Sequence, residues 1–172
     1  MTIMILSRLD ARDRALFLRW ALLETASRKA RLFWLALTHL GGATVTIVSA
    51  VVPFGAGGSL EMAARGALLT LVLSHILVQF VKRTVGRPRP THDGVWRSLA
   101  RVPDRFSFPS GHSAAAMSIA FAYAMVFPPL AALLIPIALL VGLSRVFLGV
   151  HYPGDVLMGQ LIAVLIGVIV MR

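Results

Sequence analysis

The chain contains no cysteine, which excludes disulfides and any thiolate metal site and leaves the redox compartment undetermined. Acidic residues are scarce as well, seven Asp and Glu against seventeen Lys and Arg in 172 residues. No internal repeat, low-complexity tract or nucleic-acid module is visible. A net charge of +10 would suggest nucleic acid as the partner of a soluble protein, but this chain is 58% hydrophobic. Its mean hydropathy of +0.82 is too high for a domain with a polar surface. The cations are also clustered: seven lie in residues 1–31 and seven in 82–112, leaving only Arg65, Arg145 and Arg172 elsewhere. Basic clusters beside apolar runs fit anionic headgroups and phosphorylated lipids better than a nucleic-acid groove.

What the chain has in abundance is long apolar runs: Leu32–Pro53, Met62–Val81, Gly111–Phe127, Leu130–Leu148 and Val156–Met171. Each is about 16 to 22 residues, near the roughly 20 that cross a bilayer as a helix. Small residues such as Ala114, Ala115 and Ala116 permit close helix contact. Pro128-Pro129 marks a tight connection, and Pro136 predicts a kink. The fold expected is all-α, a polytopic membrane helix bundle of about five transmembrane helices plus an N-terminal amphipathic helix.

The length suits one membrane domain, residues 32–172, preceded by residues 1–31. In that leading segment Leu9, Leu16, Trp20 and Leu23 would share one helical face, with charges at its edges, which predicts an interfacial helix. Recurrent arginines argue against a secretory signal peptide.

Three polar segments interrupt or flank the apolar runs. Ser144-Arg-Val-Phe-Leu-Gly-Val-His151-Tyr-Pro-Gly-Asp155 places an arginine beside a histidine with its own carboxylate. A guanidinium binds a phosphate in a bidentate fork. A neutral imidazole can attack phosphorus while an aspartate fixes its tautomer and stabilises its developing charge. A tight turn at Pro153-Gly154 is expected to bring Asp155 to His151. The second segment, Phe108-Pro-Ser110-Gly111-His112-Ser113, precedes an apolar run, so free backbone N–H groups at a helix start would face an anion and His112 would serve as general acid. The third, Lys82-Arg-Thr-Val-Gly-Arg-Pro-Arg89-Pro90, supplies cations on a proline-stiffened backbone. Taken singly, each has a plainer explanation: a salt-bridged turn, an N-cap with an incidental histidine, and basic residues flanking a span.

Together they resemble the type-2 phosphatidic acid phosphatase superfamily of membrane lipid phosphatases. That family's pattern is lysine, six residues, Arg-Pro; then Pro-Ser-Gly-His; then Ser-Arg, five residues, histidine, three residues, aspartate. It is matched by Lys82, Arg89, Pro90, Pro109, Ser110, Gly111, His112, Ser144, Arg145, His151 and Asp155. The resemblance covers roughly residues 66–171 and implies hydrolysis of a lipid phosphate through a phosphohistidine on His151, oriented by Asp155. Lys82, Arg89, Arg145 and the Ser110–Gly111 region would hold the phosphoryl oxygens, and His112 would protonate the leaving group. No cofactor is implied. Asp155 is the only acid in the three motifs, which favours metal-independent chemistry over a two-metal site.

The topology brings the end of span two, the start of span three and the end of span four to one side, so loops 82–112 and 144–155 can form one site. Undecaprenyl pyrophosphate is the favoured substrate, by analogy with compact family members. Phosphatidylglycerophosphate, phosphatidic acid, a lipid A phosphate or a phosphotransfer reaction are alternatives, and a non-catalytic lipid-binding or transport protein is the reading from another class. The partners implied are the phosphorylated lipid and membrane lipids; oligomeric state is not legible.

Family sites of this kind usually face the cell exterior, whereas residues 1–31, with seven cations against three anions, prefer the cytoplasm. Two spans separate that segment from loop 82–112, so both share a side, and an inner-membrane protein with an extracytoplasmic site is the expectation. Four other features read more plainly. His75 and Gln79 suit an interhelical hydrogen bond, Thr38 and His39 packing, His92 and Asp93 a headgroup contact or solvation, and Trp20, Trp34 and Trp96 the membrane interface.

Overall fold

A computed structural model describes residues 2–21, 26–91, 97–100, 102 and 104–172, with side chains described from residue 10 onward. Among the described residues seven α-helices follow in order: α1 Thr2–Trp20, α2 Arg28–Leu40, α3 Ala43–Val51, α4 Gly58–Val85, α5 Gly111–Val126, α6 Ala131–Phe147 and α7 Pro153–Val170. A short 3-10 turn, Pro128–Leu130, joins α5 to α6, where Pro128-Pro129 predicted a tight connection. Pro136 sits inside α6 without ending it.

The polarity of the bundle is inverted relative to a soluble protein. Large apolar side chains point outward, among them Leu69, Ile76 and Phe80 on α4, Leu133 on α6, and Leu157, Leu165 and Ile169 on α7. Small ones fill the interior: Ala63, Ala64 and Ala67 of α4, Ala114, Ala116, Ala120 and Ala122 of α5, and Ala163 of α7. In lipid, helix association depends on close van der Waals contact, and small residues allow it. Helix α5 packs against α4, α6 and α7. At Gly159 of α7, a Cβ would lie 2.4 Å from the Ser110 carbonyl oxygen. Only glycine lets α7 pass this close to the start of α5.

Among the described residues, α4, the Pro128–Phe147 segment and α7 are each long and apolar enough to span a bilayer. The run Leu32–Pro53, expected as one span, is instead broken. Gly41 and Gly42 separate α2 from α3, and the pair bends by 40°, so it makes a fourth crossing only if counted as one bent span. α5, at 16 residues, is the shortest of the apolar core helices that carry the site.

Helix α1 lies against α6 and α7. Phe17 and Ala21 are buried on Val146, Tyr152 and Val156. Leu16 and Trp20, of the face expected to be apolar, are exposed, at 41% and 38%; the side chain of Leu9 and all of Leu23 lie outside the described residues. His75 and Gln79 meet each other at 3.4 Å along α4, rather than reaching a neighbouring helix as expected. Their i, i+4 spacing satisfies both groups locally. His92, Asp93 and Trp96 also lie outside the described residues.

Candidate active site

One end of the bundle gathers the three motifs. Lys82 is not in a loop but in the last turn of α4, where it is buried. Its ammonium donates to the Phe106 carbonyl at 2.9 Å and to both oxygens of Asp104 at 3.2 and 3.3 Å. Gly86 ends the helix, and the chain then doubles back on itself. An isolated bridge pairs Pro88 with Phe106, and the Ser107 amide and hydroxyl donate to the carbonyls of Arg87 and Pro88. This fold-back delivers Arg89 to the interior, with Nε donating to the Asp104 carbonyl at 2.7 Å and NH2 to Asp104 Oδ1 at 2.7 Å. NH1 donates to the Val150 carbonyl at 2.8 Å and meets His151 Nε2 at 3.1 Å. Burial pushes the Asp104 carboxyl up, but Arg89 and Lys82 outweigh that and hold it below the usual carboxylate range.

His151 follows the C-terminal end of α6. Arg145 occupies the last helical turn, and its carbonyl accepts from the amides of Val150 and His151. Gly149 makes the reversal in the left-handed region, at φ 76°, which a side chain would disfavour. The expected turn at Pro153-Gly154 is absent. Pro153 opens α7, and Asp155 stands at the third helical position, where its Oδ2 accepts from the Tyr152 amide at 2.9 Å. A proline at the first position costs no helical hydrogen bond, and a carboxylate at the third caps the helix. The helix start, rather than a turn, thus brings Asp155 Oδ2 within 3.4 Å of His151 Nδ1.

Hydrogen-bond chemistry assigns the tautomer. A guanidinium has donors only, so Nε2 opposite Arg89 is the acceptor and Nδ1 carries the proton facing Asp155. Burial, then Arg89, Arg145, Lys82 and His112, push the His151 pKa well below its ordinary value. The imidazole is therefore neutral, with its Nε2 lone pair turned toward the cations.

Arg145 differs from the other cations. It is 2% exposed, and NH1 donates to Thr38 Oγ1 at 2.5 Å, but its Nε and NH2 are buried without a hydrogen-bond partner among the described residues. Ser110 caps α5 through its hydroxyl, which accepts from the Ser113 hydroxyl at 2.8 Å and the Ser113 amide at 3.4 Å. Contrary to expectation, its own amide is not free, since it donates to the Asp155 carbonyl at 2.9 Å. The amides of Gly111 and His112, the first two of the helix, are the ones left without intrahelical acceptors. His112 rides on this turn, half-buried and coupled electrostatically to His151. Lys82, Arg89, Ser110, Gly111, His112, Arg145, His151 and Asp155 are all at this end. Thr38, Asp104 and the network around Arg87 were not assigned from sequence, because each acts through a partner far along the chain.

The model of the PAP2 superfamily matches residues 63–172. The chain belongs to the PAP2 superfamily. It is 38% identical over 95 residues to lipid A 1-phosphatase of Rhizobium johnstonii, a match that covers 52% of this chain and 39% of that protein. The matched segment therefore spans about two fifths of that relative. Identity to decaprenylphosphoryl-5-phosphoribose phosphatase of Mycolicibacterium smegmatis is 35% over 130 residues, covering 72% of this chain and 68% of the relative. The transmembrane PAP2-type phosphatidylglycerolphosphate phosphatase of Bacillus subtilis superposes with a TM-score of 0.76 at 28% identity, covering 95% of this chain and 84% of the other. LpxE of Aquifex aeolicus does so at 0.73 and 26%, covering 91% and 93%. Like these PAP2 neighbours, the chain is a multi-pass membrane protein.

Proposed function

We propose that this chain hydrolyses the phosphate or pyrophosphate of a membrane lipid through a phosphohistidine, without a metal ion. One observation carries the reading: the buried Nε and NH2 of Arg145, without a partner among the described residues, stand in the cluster that holds a neutral His151 with Nε2 as acceptor. Buried donors without acceptors are costly, and a phosphoryl group would satisfy them.

In the first step the Nε2 lone pair attacks phosphorus while the bond from phosphorus to the leaving oxygen breaks. His112 gives that oxygen a proton. Lys82, Arg89, Arg145 and the amides of Gly111 and His112 stabilise the charge on the equatorial oxygens. Asp155 accepts from Nδ1–H and balances the positive imidazole. In the second step water attacks phosphorus, the P–N bond breaks, His112 takes the water's proton, and inorganic phosphate leaves.

For the lipid we favour a polyprenyl-linked group, with undecaprenyl pyrophosphate first. The relative that acts on a decaprenyl lipid supports this class, since its match extends over two thirds of both chains. Phosphatidylglycerophosphate is the second reading, supported by phosphatidylglycerophosphatase B of Bacillus subtilis, 32% identical over 144 residues. Phosphate release by the purified chain from a panel of polyprenyl, glycerophospholipid and lipid A phosphates, with His151→Ala as control, tests both. Release from glycerophospholipids alone would reverse the order; no release from any would favour the binding-protein reading. The site is proposed to open on the extracytoplasmic face of the inner membrane, and labelling of Asp93→Cys in intact cells checks the side.

A further inference from the structure

Behind the His151–Asp155 pair lies a second charged network that the phosphatase mechanism does not use. Asp155 is fully buried, and its two oxygens have divided duties: Oδ2 serves His151 and the Tyr152 amide, while Oδ1 accepts from Arg87 NH1 at 2.7 Å. The same NH1 donates to Asp13 Oδ2 at 2.7 Å, and NH2 donates to Asp10 Oδ1 at 2.7 Å. The guanidinium also lies 4.1 Å from the centre of the Tyr152 ring. Asp13 Oδ1 accepts from the Gly154 amide at 2.7 Å, in the turn of α7 that carries Asp155. Phe17, edge-on to Tyr152 at 5.4 Å, anchors α1 beside this network.

Two physical consequences follow from this arrangement. A carboxylate held at only one oxygen can rotate, and Arg87 pins the other, so Oδ2 stays aimed at Nδ1. A lone guanidinium against Asp155 would also draw its negative charge away from the imidazole. Asp10 and Asp13 offset that: two cations, Arg87 and the Arg14 that donates to Asp10 Oδ2 at 2.9 Å, stand among three carboxylates behind His151, opposite the cations that would hold the phosphate.

We propose that the N-terminal helix supports catalysis: Asp13, with Asp10, holds Arg87 so that Asp155 stays oriented toward His151. Arg87 and Asp13 are positioning residues, and this assignment rests on His151 being the nucleophile.

The test uses the purified full chain in detergent or nanodiscs, with kcat and KM on a lipid phosphate and melting temperatures as the check on folding. Asp13→Asn and Arg87→Gln should each lower kcat by about 10- to 100-fold, the range seen when a group that orients a metal-binding histidine is removed. KM should stay within about twofold. Arg87→Lys keeps the charge but cannot bridge three carboxylates, and should recover only part of the loss. The decisive arm is the double variant. In an Asp155→Asn background Arg87→Gln should cost less than about twofold more, because groups acting through one residue are not additive. If Arg87→Gln fails to fold, Asp13→Asn carries the same test against Asp155→Asn.

Wild-type kcat in Asp13→Asn and Arg87→Gln would overturn the proposal, as would an undiminished loss in the Asp155→Asn background. If those results came with an inactive His151→Ala, only this inference would fall. A His151→Ala protein that still turned over would remove the nucleophile assignment and this inference together.

Discussion

Arg89 and Arg145 are almost equally buried, at 4% and 2% exposure, yet every nitrogen of Arg89 has a partner and not every nitrogen of Arg145 has one among the described residues. Arg89 spends its nitrogens on Asp104, on the Asp104 and Val150 carbonyls and on His151. Among the described residues Arg145 has one hydrogen-bond partner, Thr38, and two nitrogens with none. Burying a guanidinium without acceptors costs several kcal/mol, so the fold tolerates a penalty at Arg145 that it avoids at Arg89. In the proposed mechanism the contrast separates two ways of meeting the phosphoryl group: Lys82 and Arg89 present their charge from positions fixed by Asp104, and Arg145 offers nitrogens open to its oxygens.

His151→Ala should have the largest effect, abolishing turnover in a folded protein, since it removes the group proposed to accept the phosphoryl. Activity within tenfold of wild type would remove the nucleophile from its role. His112→Ala should cost about 10²- to 10⁴-fold through lost proton transfer, and less on a substrate with a good leaving group; equal losses on both substrates would count against the acid.

Arg145→Ala should cost about 10²- to 10³-fold, comparable to deleting an oxyanion donor, and Arg145→Lys should restore only part because it lacks the fork. Vanadate should raise the melting temperature of the wild type but not of Arg145→Ala. Equal stabilisation of both would break the distinction between the two arginines.

Asp104→Asn should act mainly on stability, lowering the melting temperature by leaving Lys82 and Arg89 undercompensated. The pH dependence has a definite sign. Because the folded Asp104 carboxyl is held below its ordinary value of 3.8, its contribution is complete above that value and fades as pH falls through the lower folded one. A wild-type acid melting curve that matched Asp104→Asn would show that the pair adds nothing. The smallest effect expected is that of excess EDTA: activity should persist, since protein cations supply the charge. Loss reversed by one divalent ion would sink the metal-free mechanism.

The helical class, the family and the three-motif cluster were legible in the sequence, because hydropathy runs and fixed spacings are local properties. The boundaries were less so. Lys82 was assigned to a loop although α4 runs on to Val85, and the Leu32–Pro53 run concealed a break at Gly41–Gly42. Such ends depend on what each residue meets in space. Asp155 was expected to reach His151 by a Pro153-Gly154 turn; the same residues open a helix instead, since proline suits that position and the aspartate can cap it.

The sequence by itself determined that this is a lipid-solvated helical protein with a histidine, its aspartate and a set of cations at one end of the bundle. Tertiary structure alone decided which cations are satisfied and which are free, because hydrogen-bond saturation depends on partners such as Thr38 and Asp104 from other elements. It also placed Asp13 and Asp10 behind Asp155, from more than 140 positions away. No spacing rule links such residues, which meet only through the packing of α1 on α6 and α7.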